Sequence, residues 1–250
     1  MKFQLNRLET VDSTNDVALE AARSGADDGL VVWAQRQVRG RGQRDHTWQS
    51  QAKSSLTFSV LFRPNQEEQT VLGRFTALGA LAAAWTVKEK TGVEAQVKWP
   101  NDVLLNGKKI CGVLAETDLQ AGKASAVVVG VGVNLLPGAF EANEAMNYPA
   151  SDVFSETGFS LDAETWLWTV LEGMQSLRQL LPGDAFIREW NERLAFKGEI
   201  RSIRNHKGET GLFRLLSVLS DGSLLVERAS GQQFSFQSAE ILPSSYSSSE

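Results

Sequence analysis

The stretch that most limits the architecture is "LGALAAAW", residues 78 to 85, at the heart of a helical run expected from Glu68 to Thr91. Strong helix formers fill it, and Gly92 stands where a C-terminal stop belongs. A helix this apolar reads as the central buried helix of the fold. The segments around it read as strands. "LVVWAQRQ" is one, and "LTFSVLFRP" is another, with Leu56, Phe58, Val60 and Phe62 alternating until Pro64 stops the run. "EAQVKWPNDVLLNGKKICGVLAET" and "SAVVVGVGVNLL" are β-rich, and Asn106-Gly107 is a hairpin dipeptide joining Val103–Leu105 to Lys109–Glu116. At the start, a strand over Phe3 to Leu8 leads into "DSTND", which supplies N-caps for a helix carrying Val17, Leu19, Ala21 and Ala22. A mixed sheet holding one buried helix is the simplest container, so the fold class is α+β.

Further along, Leu161, Trp166, Leu167, Val170, Leu171, Met174, Leu177 and Leu181 recur at helical spacing until Pro182-Gly183. After Lys197-Gly198 the texture changes to short β runs, "EIRSIRN", "TGLFRLLSVLS", "SLLVERA" and "QQFSFQSAEI", separated by polar turns. That is the pattern of a small barrel. The expected organisation is a main domain over 1–195, a barrel over 196–243 and a polar, disordered tail over 244–250. With 42% hydrophobic residues, the chain can fill one main core and a small appendage.

Composition removes several functional classes. The net charge is −5 and charged residues are well mixed, so no broad basic surface for duplex DNA is expected. The single cysteine, Cys111, cannot form an internal disulfide, and its apolar neighbours mark it as a buried thiol in a reducing compartment. The first twelve residues lack the apolar run of a signal peptide, and no segment is long and apolar enough for a membrane span. A cytoplasmic location with no membrane partner follows as the expectation. The two histidines, His46 and His206, fall in different expected domains, so no zinc constellation is available. No Gly-x-Ser-x-Gly elbow anchors a hydrolase triad.

One segment runs against the acidic background. "RQVRGRGQRDHTW", residues 36 to 48, interleaves arginines with Gly40 and Gly42. Glycine lets backbone N–H groups approach an anion, and guanidinium groups fork onto phosphate or carboxylate. Taken alone, such a cluster is more often a solvated surface loop. Likewise, Ser13 to Asn15 alone are helix caps, "KWPND" alone is a turn, and Trp48 alone is as readily a core residue as a stacking platform.

The segments occur together, however. "DSTND", the Gly-Arg-Gly loop ending in tryptophan, "KWPND", "GKKICGVLAE" and "GVGVN" follow in order across residues 12 to 134. In that combination the chain resembles the biotin protein ligases, and the C-terminal β region extends the resemblance over nearly the whole length. The resemblance implies a catalytic domain similar to class II aminoacyl-tRNA synthetases and lipoate ligases, followed by an SH3-like β-barrel. The implied reaction activates biotin with Mg²⁺-ATP as biotinyl-5′-AMP, then acylates a lysine of a biotin carboxyl carrier protein.

Residue by residue, the resemblance implies catalytic cations at Arg41 and Lys109. Lys108 would point to the opposite face of its strand. It implies a biotin site built from Ser13, Thr14, Asn15, Gln37, Arg41, Gly42, Gln43, Lys109 and Gly112. It implies nucleotide contacts from Arg44, His46, Trp48, Lys98, Asn101, Asp102 and Asn134, with Asp102 as the candidate Mg²⁺ ligand. The loop departs from the commonest family pattern at Gln43, Asp45 and His46, and surplus arginines at Arg39 or Arg44 are candidates for the missing cation. Competing readings are a lipoate or octanoate ligase, and a catalytically idle biotin or nucleotide binder. Because "DSTND" begins at residue 12, no N-terminal DNA-binding domain and no nucleic-acid partner are expected. Homodimerisation stays open.

Overall fold

The computed structural model describes residues 1–43, 47–48, 50–140 and 148–243. A seven-stranded mixed sheet runs in the order β1-β2-β3-β7-β6-β5-β4. Its strands are β1 (Gln4–Val11), β2 (Leu30–Gln37), β3 (Ser55–Phe62), β4 (Gln96–Lys98), β5 (Asp102–Leu105), β6 (Lys108–Gln120) and β7 (Lys123–Asn134). Only β1 and β2 pair in parallel, joined by the crossover helix α1 (Thr14–Arg23). The other neighbours are antiparallel. At the hairpin between β5 and β6, Asn106 and Gly107 both take left-handed φ, 50° and 75°, as the Asn-Gly pair leads one to expect.

Two layers cover the sheet. On one face lies α2 (Arg74–Thr91), backed by α4 (Ala163–Arg178). Helix α2 is buried along most of its length and ends at left-handed Gly92, φ 75°. It approaches the sheet closely enough that a Cβ on Gly79 would fall 2.8 Å from Val113 Cγ1. The opposite face carries α1, packed through Ala18 and Ala22 onto Val32, Leu61, Ala126 and Val128.

Strand β7 shows how the sequence divides these faces. Val127, Val129, Val131 and Val133 point into the α2 core. The alternate positions begin as Ala126 and Val128 under α1, then become Gly130, Gly132 and Asn134. The missing side chains at Gly130, beneath Asn15 in the first turn of α1, and at Gly132 hollow a trough into that face.

The remaining helices are α3 (Val153–Thr157), capped by Asp152 accepting from the Ser155 N–H, and α5 (Asp184–Glu192). A C-terminal antiparallel sheet runs β11-β10-β9-β8-β12, from β8 (Ile200–Asn205), β9 (Thr210–Val218), β10 (Leu224–Glu227), β11 (Gln233–Phe236) and β12 (Ala239–Ile241). Its buried residues, among them Phe213, Leu215, Val226 and Ile241, join the same hydrophobic cluster as α2. The Arg74 guanidinium donates to the carbonyls of Leu181, Gly183 and Ser220, and Trp99 Nε1 donates to that of Gly222.

Three sequence expectations need correcting. The helix expected from Glu68 is two elements, a 3-10 turn at Glu68–Val71 and then α2, because the Asn65 side chain caps the N–H groups of Glu67 and Glu68 as a separate turn. Helix α5, beyond the Pro182-Gly183 break, was not expected, although it buries Phe186 and Trp190. "QQFSFQSAEI" is not one strand: β11 pairs with β10, whereas β12 pairs with β8.

Candidate active site

The trough opens into a cavity of about 460 Å³. Its floor is a row in register across four strands, Thr57 opposite Gly132, Gly132 opposite Gly112, and Gly112 opposite Asp102. Glycine is required on this floor by contact. A Cβ at Gly132 would fall 2.2 Å from the Trp48 indole, and one at Gly130 would fall 2.3 Å from Asn15 Oδ1. At Gly112 it would lie 3.1 Å from Trp48 and 3.3 Å from Lys109.

One end of the row is neutral and polar. Ser13 is the N-cap of α1, but its side chain makes no capping bond. The capping expected of "DSTND" comes from outside, through Gln37 at the end of β2. Gln37 Oε1 accepts from the Thr14 N–H at 2.7 Å and from Thr14 Oγ1 at 3.0 Å. Asn15 Nδ2 donates to Glu116 Oε2 at 2.7 Å and to the Leu114 carbonyl at 3.3 Å. Ser59 Oγ lies 2.7 Å from Thr14 Oγ1 and 2.6 Å from Asn15 Oδ1 and donates its proton to one of them.

The other end is cationic. Asp102 is buried between two ammonium groups, Lys98 Nζ at 2.9 Å and Lys109 Nζ at 2.6 Å. Burial alone would raise the Asp102 carboxyl, but the charges of Lys109 and Lys98, with the bonds they donate, hold it down at about 2. Two cations against one carboxylate leave a net positive charge facing the cavity. As expected from strand alternation, Lys108 turns away and pairs with Glu156 at 2.8 Å. Asn101 Nδ2 donates to the Val113 carbonyl and Asn134 Nδ2 to that of Ser151, while Asn134 Oδ1 is buried without a protein partner among the described residues.

Arg41 closes the mouth. Its guanidinium forks onto both oxygens of Asp16, 2.6 and 2.7 Å, and both of Glu116, 3.0 and 2.8 Å. The bonds to Asp16, opposed by partial burial and reinforced by Glu116, raise its already high pKa. Gly42, Gln43 and Trp48 complete that wall. Arg44, Asp45 and His46 lie outside the described residues. Arg39, the other candidate for an extra cation, pairs with Asp12 at 3.6 Å on the surface and does not line the cavity.

All other predicted site residues line this one cavity, Arg41 and Lys109 included. Asp102 departs from expectation in one respect. Both its oxygens face lysines, and no group of three His, Cys, Asp or Glu able to hold a metal occurs among the described residues. These side chains do not fit a protein-held Mg²⁺.

The model of the biotin/lipoate A/B protein ligase family matches residues 8–134, a stretch that contains most of this cavity. The chain belongs to that family. Within it, the chain is 33% identical to the biotin--[acetyl-CoA-carboxylase] ligase of Paracoccus denitrificans, over 90% of this chain and 95% of that protein. It is 34% identical to the bifunctional ligase/repressor BirA of Bacillus subtilis over 51% of this chain, and that match spans only 39% of the Bacillus protein. Among solved structures, the biotin protein ligase from Aquifex aeolicus in complex with biotin and ATP superposes with a TM-score of 0.79 at 26% identity. It covers 95% of this chain and 97% of that one.

Several residues of this cavity and its surround carry no signal in the sequence. Thr57 and Ser59 sit in a strand that looked unexceptional, though they are polar positions alternating with its phenylalanine and valine. Asp16 and Glu116, the partners of Arg41, carry no spacing signal because they lie 25 and 75 residues from it. Tyr148 places its ring 5.0 Å from Lys98 Nζ. Ala239, Glu240 and Ile241 bring β12 to the same rim.

Proposed function

We propose that this chain is an ATP-dependent biotin protein ligase that activates biotin as biotinyl-5′-AMP and transfers the biotinyl group to a lysine of a carboxyl carrier protein. The observation that carries the reading is a single cavity with a hydroxyl- and amide-lined end, an end where Lys98 and Lys109 flank Asp102, and a mouth where Arg41 forks onto Asp16 and Glu116. Two relatives named as biotin ligases, and a neighbour solved with biotin and ATP, support it.

The chemistry needs this polarity. A carboxylate attacking the α-phosphorus of ATP approaches another anion, so fixed cations lower the barrier by meeting charge as it develops on the non-bridging oxygens. Lys109 is held ready by Asp102, and its backbone is fixed by a bond from its N–H to the Pro149 carbonyl at 2.7 Å. Arg41 must exchange Asp16 and Glu116 for ligand oxygens, so loop closure is conditional on an anion being present. Closure also shields a hydrolysable mixed anhydride from water. Mg²⁺ is expected to enter on the polyphosphate oxygens of ATP, given the poor fit of Asp102.

The acceptor lysine then attacks the acyl carbon, releasing AMP. The test is to mix the protein with biotin, Mg-ATP and a carrier domain and to weigh the carrier. A gain of one biotinyl group, absent when ATP is omitted, supports the reading. Incorporation of lipoate or octanoate but not biotin would replace it.

A further inference from the structure

Strand β3 turns three hydroxyl residues toward the trough face, and they differ in one respect. Ser55 Oγ donates to the Gln51 carbonyl at 2.9 Å, and Ser59 is held by Thr14 and Asn15. Thr57, only 4% exposed and lining the cavity, has a buried Oγ1 with no protein partner among the described residues. A hydroxyl in that setting costs about 1–3 kcal/mol if left unmet. Valine would fill the same shape without it, and valine is abundant elsewhere in this sheet. The hydroxyl's partner therefore has to come from whatever fills the cavity.

The register says which part of a ligand that is. Thr57, Gly132, Gly112 and Asp102 lie in one row across adjacent strands. Three strand spacings put its ends roughly 14 Å apart. The Asp102 end carries the lysines that suit a carboxylate, so Thr57 meets the far end of the molecule.

The geometry points to Thr57 as a specificity-determining residue that hydrogen-bonds the cyclic-urea head of the acid substrate and disfavours acids with a purely apolar tail. This rests on the function proposed above. A site built around a hydrogen bond rejects a ligand that cannot make it, because the protein group is then buried unmet.

Titration calorimetry of the full chain and of Thr57→Val and Thr57→Ser, with biotin, octanoate and ATP in separate runs, tests the assignment. Thr57→Val is expected to weaken biotin roughly tenfold and to shrink the preference for biotin over octanoate by the same factor. ATP affinity should stay as in the parent, the free protein should melt no lower, and Thr57→Ser should retain biotin. Unchanged biotin affinity in Thr57→Val overturns the assignment. So does a parallel loss of biotin and ATP with a lowered melting temperature, which marks a structural role. A parent protein that binds ATP but no biotin removes the functional reading itself, and this assignment with it.

Discussion

Lys109 Nζ lies 2.6 Å from Asp102 Oδ1, and the same carboxylate holds Lys98 through its other oxygen at 2.9 Å. One buried anion thus keeps two cations at the end of the trough. Replacing it leaves both ammonium groups without their counter-ion, and breaking a buried pair costs about 3–5 kcal/mol. Since Lys109 is partly open to solvent, the low end applies. Asp102→Asn is expected to lower unfolding free energy by about 3 kcal/mol in a denaturant titration, more than Lys109→Met does.

The same carboxyl sets an acid limit on stability. Its folded pKa, about 2, lies below its value in an unfolded chain, so its contribution is complete above that unfolded value and is lost as pH falls toward 2. Between neutrality and pH 5 it stays ionised. Stability measured against pH should therefore show an acid loss in the parent that is diminished in Asp102→Asn.

Arg41 gives a different signature. Its pairs with Asp16 and Glu116 are solvent-accessible, and such pairs are worth about 0–1 kcal/mol. Arg41→Ala should melt within a few degrees of the parent. Its rate of biotin-dependent pyrophosphate release should fall about a hundredfold, the scale seen when one preorganised donor to a developing oxyanion is removed. A large fall in melting temperature with little change in rate would contradict the role proposed for this side chain.

Gly130 abuts Asn15 and Gly132 abuts Trp48, whose atoms lie 2.3 and 2.2 Å from where an added Cβ would fall, so one or the other must shift. Gly130→Ala is expected to break the Ser59–Asn15 contact and destabilise by about 1–3 kcal/mol. Gly132→Ala should instead displace the Trp48 indole. Comparing its emission with that of Trp48→Phe identifies the displaced residue, and biotin binding should weaken in the glycine variant.

Cys111 points into the α2 core at 0% exposure, and burial raises its thiol pKa far above the ordinary value. It should resist a disulfide reagent in the native protein and titrate as one thiol after denaturation. Rapid reaction under native conditions would mean that β6 opens far more readily than its packing implies.

Most of the trough could be located from the sequence because motif residues with unusual chemistry repeat in order: Ser13 to Asn15, Gln37, Arg41, Lys98 to Asp102, Lys109 and Asn134. Strand β3 was legible as a strand, but not as the wall of a site. Leu56, Phe58, Val60 and Phe62 signal one buried face and say nothing of what lies on the other, where Thr57 and Ser59 turn out to be buried too. The partners of Arg41 were hidden for another reason. Asp16 sits on α1 and Glu116 on β6, and only the sheet order brings them together. Helix α5 is hidden in the sequence because a Pro-Gly pair signals a stop, whereas the chain restarts a helix immediately beyond it.

The alternation along β7 carries a consequence for how this chamber can change. A single strand is both the ceiling of the hydrophobic interior and the floor beneath the ligand, with valines on one side and glycines on the other. Glycine has nothing left to trim, so substitutions along β7 can only make the space smaller. Any widening must come from the neighbouring strand at Thr57, or from above through the α1 tip and the Arg41 loop, none of which reaches the valines beneath.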